Sequence, residues 1–263
     1  MTDHTQRFTN RVDHYAKHRP SYPPAVLDLL EAECDLTSAS AVADVGSGTG
    51  ILSELFLEKG NRVFGVEPNK GMREAGERRL NRHPRFTSVA GTAEATTLED
   101  GSVDLVAAGQ AFHWFDPERA RTEFARIVKP GGCVALVWNW RRKEETPFLA
   151  AYERLLKAYR TDRGEAETWR RGDKMAGAFF GPGAFEQATF DNEQVLDLDG
   201  FKGRLLSISY VPAEGEPGSE DLLRDVEEIF RRYQTSGSVR ILYDTKVYYG
   251  RPAPRKLTPK TDS

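Results

Sequence analysis

The sequence predicts an α/β fold built on a doubly wound, seven-stranded, mostly parallel sheet, and three observations carry that prediction. Short apolar runs alternate with amphipathic helical stretches through the first half of the chain. A glycine-rich turn follows the first of those runs directly. Each run is apolar on both sides, which suits strands whose two faces are both covered by helices.

Taken in order, residues 24–32 read as a short helix, with Val26, Leu27, Leu29 and Leu30 apolar and charges between them. Residues 41–45 form a compact strand, broken at once by glycines, and 51–59 resume with helical spacing. The rhythm repeats as a strand over 62–66, a charged helix over 70–81, and strands over 86–90 and 103–108. Asp116 followed by Pro117 marks the start of a helix over 117–128, because an aspartate caps free N–H groups and proline suits the first turn. Pro130-Gly131-Gly132 ends it, and 133–138 is the fifth strand.

Beyond Asn139 the pattern loosens. Helices are expected over 148–159, 201–209 and 219–234, a glycine-rich turn carrying Phe179 and Phe180 over 177–183, a sixth strand over 185–196 and a last strand over 240–249. The organisation that follows has an N-terminal cover with the first helices in 1–35, a core in 36–250 with a lid-like helical insertion over 141–235, and a flexible tail in 251–263.

At 263 residues with 29% charged residues, the composition is that of a globular protein rather than a disordered one. A formal charge of -3 gives no stripe for a polyanion, so no nucleic-acid partner is expected. No apolar stretch approaches the length of a membrane span, and a cytoplasmic location is expected. Cys34 and Cys133 stand alone, without histidines at ligand spacing, so neither a disulfide framework nor a metal site is predicted. Monomer and homodimer stay open.

The chemistry concentrates at Asp44-Val45-Gly46-Ser47-Gly48-Thr49-Gly50. Glycines between a strand and a helix let a ligand approach free backbone N–H groups, at the end of the sheet where such folds bind ligands. A dinucleotide fingerprint would need its third glycine at position 51, where Ile51 stands, and no phosphate-cradling G-x-x-x-x-G-K-S/T loop is present. Glu67 ends the second strand, 21 residues after Gly46, where a carboxylate can accept both hydrogen bonds of a ribose diol.

Together with Tyr15-Ala16-Lys17-His18-Arg19-Pro20-Ser21-Tyr22-Pro23, Val66-Glu67-Pro68, Gly91-Thr92-Ala93-Glu94, Gln110-Ala111-Phe112-His113-Trp114-Phe115 and Leu205-Leu206-Ser207-Ile208-Ser209-Tyr210, the turn resembles class I S-adenosylmethionine-dependent methyltransferases. The likeness runs from Phe8 to about Gly250, within the small-molecule group that includes trans-aconitate methyltransferases. It implies a Rossmann-like core and S-adenosyl-L-methionine as cofactor. By the same resemblance, Asp44, Gly46, Ser47, Gly48, Thr49 and Gly50 would lie against the methionine part and Glu67 would hold the ribose. Pro68, Asn69, Ala93 and Glu94 would border the adenine, and Gln110 would approach the methionine carboxylate or sulfonium. Tyr15, Arg19 and Tyr22 would belong to a cover over cofactor and small-molecule substrate.

His113 is the candidate catalytic residue, as a general base for a protonated acceptor or as a positioning group. Packing is the alternative for it and for its neighbours Phe112, Trp114 and Phe115. Arg19 and Arg204 are candidate anion contacts. The segment Ala107-Ala108-Gly109-Gln110 lacks the Asn/Asp-Pro-Pro-aromatic arrangement of base-methylating enzymes. The expected activity is methyl transfer to a small molecule, with an oxygen acceptor on a carboxylic acid or phenol ahead of nitrogen or carbon. A noncatalytic S-adenosylmethionine-binding protein is the reading from a different class.

Overall fold

The structure is a computed structural model that describes residues 16–161, 172–181 and 183–252. The elements, in chain order, are α1 (Ala25–Cys34), β1 (Ala41–Val45), α2 (Ile51–Glu58), β2 (Arg62–Val66), α3 (Lys70–Leu80), β3 (Phe86–Val89) and β4 (Val103–Gly109). After a single 3-10 turn at Phe112–Trp114 come α4 (Pro117–Ile127), β5 (Val128–Arg141), α5 (Pro147–Ala158) and α6 (Gly172–Phe180). β6 (Glu186–Leu196), α7 (Leu198–Leu206), α8 (Ser219–Tyr233) and β7 (Val239–Gly250) complete the described chain.

The seven strands form one sheet in the order β3-β2-β1-β4-β5-β7-β6. β1 to β5 pair in parallel, and β7 runs antiparallel to both β5 and β6. The order reverses between β1 and β4, which opens a crevice at the carboxyl ends of those two strands.

Alternation along the strands divides the core into two faces. Val42, Leu105, Ala135 and Val137 join Val26, Leu30, Leu52 and Phe56 of α1 and α2 on one face. Ala43, Val106, Val134 and Leu136 join Phe124 of α4 and Phe179 of α6 on the other. A third cluster, with Leu149, Tyr152, Phe201, Leu205 and Val226, packs α5, α7 and α8 on Ile241 and Tyr243 of β7. No helix among the described residues is long and apolar enough to cross a membrane.

Three expectations need correction. Phe179 does not sit on a glycine turn; it ends a helix and is fully buried, with its ring 5.1 Å from Phe112 and 5.5 Å from Phe124. That aromatic burial, about 2–3 kcal/mol for such a side chain, outweighs the low helix propensity of the neighbouring glycines. β5 runs from Val128 to Arg141, so Asn139 and Trp140, beyond the strand expected over 133–138, belong to it as well. Finally, Cys34 at the end of α1 meets Cys133 of β5 in a disulfide, with Cα atoms 5.6 Å apart. The packing of α1 against the sheet brings together two cysteines 99 residues apart, which their spacing in the sequence could not reveal.

Candidate active site

The glycine turn lies where β1 hands over to α2. Gly46 N–H and Ser47 N–H both donate to the Val66 carbonyl, at 2.8 and 3.1 Å, which anchors the turn to the end of β2. Gly46, Gly48 and Gly50 all have positive φ, at 70, 56 and 81°. A Cβ on Gly46 would stand 2.5 Å from Ala111 Cβ, and one on Gly50 would stand 2.6 Å from Leu80 Cδ1. Glycine is required at both positions by conformation and by space.

Glu67 is buried and bridges two backbone segments. Its Oε2 accepts from Gly48 N–H at 2.9 Å and its Oε1 from Asn69 N–H at 2.8 Å. Burial pushes its carboxyl up, against the opposing pull of those two bonds. Each oxygen keeps a second lone pair that can receive a diol hydroxyl. Asn69 caps α3 by accepting from Met72 N–H, and Pro68 beside it is exposed.

A cleft opens beside the turn, lined by Tyr22, Asp44, Ser47, Thr49, Leu52 and Gly109. Gly109 makes room for Tyr22, whose hydroxyl would lie 2.6 Å from a Cβ there. Asp44 is fully buried; Oδ2 accepts from Ser53 Oγ at 2.6 Å, while Oδ1 has no hydrogen-bond partner. Burial pushes its carboxyl up to about 7. Thr49 Oγ1 is likewise buried without a hydrogen-bond partner. An unbonded carboxylate oxygen and hydroxyl at a glycine turn fit a ligand carrying a cation and hydrogen-bond donors, as the amino-acid end of S-adenosylmethionine does.

Gln110 leaves β4 with φ 56°, an uncommon conformation for a residue with a side chain. Its N–H donates to Val137 O and its Nε2 to Asn139 O. Asn139 then gathers the N-terminal cover. Its Nδ2 donates to Ser21 O at 3.1 Å, and its Oδ1 accepts from Thr245 Oγ1 at 2.6 Å and from Asn192 Nδ2 at 3.1 Å. Asn192 donates to Ser21 O as well, and Gln194 to His18 O. The cover is therefore held by its own backbone carbonyls.

The other expected residues divide. Arg19 lies in the cover and donates to Ser207 O at 2.7 Å. Ala93 is buried in the core, and Glu94 accepts from Asp116 N–H at the start of α4. His113 is exposed on its 3-10 turn with its ring 4.6 Å from Trp114, and it is not among the residues lining the cleft. Phe112 is core. Tyr15 lies outside the described residues. Sequence reasoning missed Ser53, Asn192, Gln194 and Thr245. Ser53 carried a faint signal as a polar residue between the apolar Leu52 and Leu55, whereas two amides on an outer strand carried none.

A sheet of this order, with a glycine turn at its switch point and a carboxylate ending the next strand, defines a Rossmann-like nucleoside-binding protein. Comparison with known proteins narrows the class. Residues 43–136, spanning β1 to β5, match the methyltransferase domain family. The chain is 27% identical to an uncharacterized methyltransferase-like protein of Schizosaccharomyces pombe, over 95% of this chain and 96% of that one. It is 42% identical to an uncharacterized methyltransferase of Mycobacterium tuberculosis, over 53% of this chain and 54% of that one. A solved structure from Anaeromyxobacter dehalogenans, assigned as a type II methyltransferase, superposes with a TM-score of 0.69 at 26% identity, over 90% of this chain and 99% of that one. The protein is an S-adenosylmethionine-dependent methyltransferase of the class I fold.

Proposed function

We propose that the protein methylates an oxygen of a small organic acid, with the cofactor in the cleft at Asp44 to Gly50 and the acceptor entering between Gln110 and the N-terminal cover. The observation that carries the cofactor placement is the pair of buried, unbonded oxygens on Asp44 and Thr49 beside the glycine turn. In this reading Asp44 and the turn hold the amino-acid end, Glu67 the ribose, and Asn69, Pro68, Ala93 and Glu94 the adenine side. Tyr22 and Arg19 close the site from the cover.

Bound S-adenosylmethionine supplies a methyl group already activated on a sulfonium. The protein's part is to align the acceptor and exclude water. A carboxylate acceptor is deprotonated near neutrality and asks no base of the protein, whereas a phenol needs its proton removed. The exposure of His113 favours the carboxylate, with the His113 and Trp114 pair acting at the mouth of the site as a positioning group.

Purified protein incubated with isotopically labelled S-adenosylmethionine and metabolite extracts should yield labelled methyl esters by mass spectrometry. Label found only on nitrogen or carbon would overturn the oxygen reading. Unchanged kcat and KM in His113→Ala with a carboxylate acceptor would overturn its positioning role.

A further inference from the structure

Arg204 sits in the last turn of α7 and is 6% exposed. Its Nε donates to Tyr243 Oη and its Nη1 to Ser207 Oγ, both at 3.3 Å, and no Asp or Glu among the described residues pairs with it. A guanidinium keeps its charge at any ordinary pH, so burying one without an anion is strongly unfavourable. Arg19 brings a second guanidinium to the same turn through Ser207 O.

The surroundings add donors. Arg141 lies opposite Tyr243 in the pairing of β5 with β7, and its guanidinium stacks 4.8 Å from the centre of the Tyr152 ring. Arg141 Nη2 is taken by Glu153, but Arg141 Nη1 and Tyr152 Oη are buried without hydrogen-bond partners. A buried cation and these donors converge where α5 and α7 meet β7.

We propose that this cluster is an anion subsite, in which Arg204 holds a carboxylate of the acceptor that is not the group methylated. A carboxylate suits it better than a phosphate. Arg204 lies at the C-terminal end of its helix, whose partial negative charge disfavours a dianion, and a guanidinium matches two coplanar oxygens. The subsite also stands in line with the reaction. Asn139 touches Gln110, and Arg141, at the cluster, is two residues beyond Asn139 on β5, about 7 Å farther along the strand. The acceptor is thus an organic acid with its reacting oxygen separated from its anchored carboxylate. The inference rests on the methyl-transfer reading.

The test is calorimetry on the full chain in two stages. S-adenosylhomocysteine is titrated first, and failure to bind would sink the methyl-transfer reading itself. Succinate and benzoate are then titrated, each into the saturated complex at constant ionic strength. At least one should bind, Arg204→Met should weaken that binding by ~30-fold or more, and the affinity for S-adenosylhomocysteine should stay unchanged. Normal S-adenosylhomocysteine binding with neither acid bound, or equal binding to Arg204→Met, overturns the subsite. The first of these needs only the unaltered protein and decides the matter if the variant does not fold.

Discussion

Gly46 is constrained twice, by a φ of 70° and by Ala111 lying where its Cβ would be. Gly46→Ala should therefore cost about 1–3 kcal/mol in urea unfolding and abolish S-adenosylhomocysteine binding by calorimetry. An unchanged midpoint with intact binding would show that the turn is not rigid. Asp44 gives a sharper test because its charge is coupled to pH. Its carboxyl lies at about 7 when folded against an ordinary 3.8, so the folded state holds the proton more tightly. That stabilisation is complete below about pH 4 and is lost as pH rises through about 7. The ligand-free protein should weaken across that window, and Asp44→Asn should flatten the profile. A ligand cation beside Asp44 favours the charged form, so S-adenosylmethionine affinity should rise over the same range. Glu67 holds two N–H groups and, in the proposed role, the ribose; Glu67→Gln should weaken cofactor binding about 10- to 100-fold.

At the scale of elements, the cover is tied to the sheet by one side chain above others. Asn139 joins Ser21, Asn192 and Thr245, and its carbonyl receives Gln110. Removing its amide would leave the buried Thr245 hydroxyl without an acceptor, at a cost of about 1–3 kcal/mol. Asn139→Ala should speed hydrogen exchange of the amides near Ser21 and Tyr22 and raise KM for the acceptor more than it lowers kcat. Exchange there as slow as in the parent would mean that Asn192 and Gln194 suffice. These contacts were hidden in the sequence because polar residues on strands look alike whether they face water or a carbonyl. The capping of α4 by Asp116 was plain in the sequence, since an Asp-Pro pair at a helix start acts through its immediate neighbours.

Across the whole molecule, the disulfide ties α1, on one face of the sheet, to β5 in its middle. Closing a loop of 99 residues restricts the unfolded chain, and reduction should lower stability by up to about 4–5 kcal/mol. Thiol titration of the denatured protein should find no free cysteine before reduction, and two free thiols beforehand would refute the bond. The sequence by itself determined the alternation of strands and helices, the glycine turn and the acidic residue that ends β2. Those features depend on local periodicity and backbone freedom, which neighbouring residues specify. Only the tertiary structure decided that β6 takes the edge of the sheet beside β7, that Phe179 is core, and that Cys34 meets Cys133. The same is true of Asp44, which turns to Ser53, and of Arg204, which is buried beside Tyr243. Each of those outcomes depends on desolvation and on contacts between residues far apart in the chain, and local sequence does not encode which distant group will arrive.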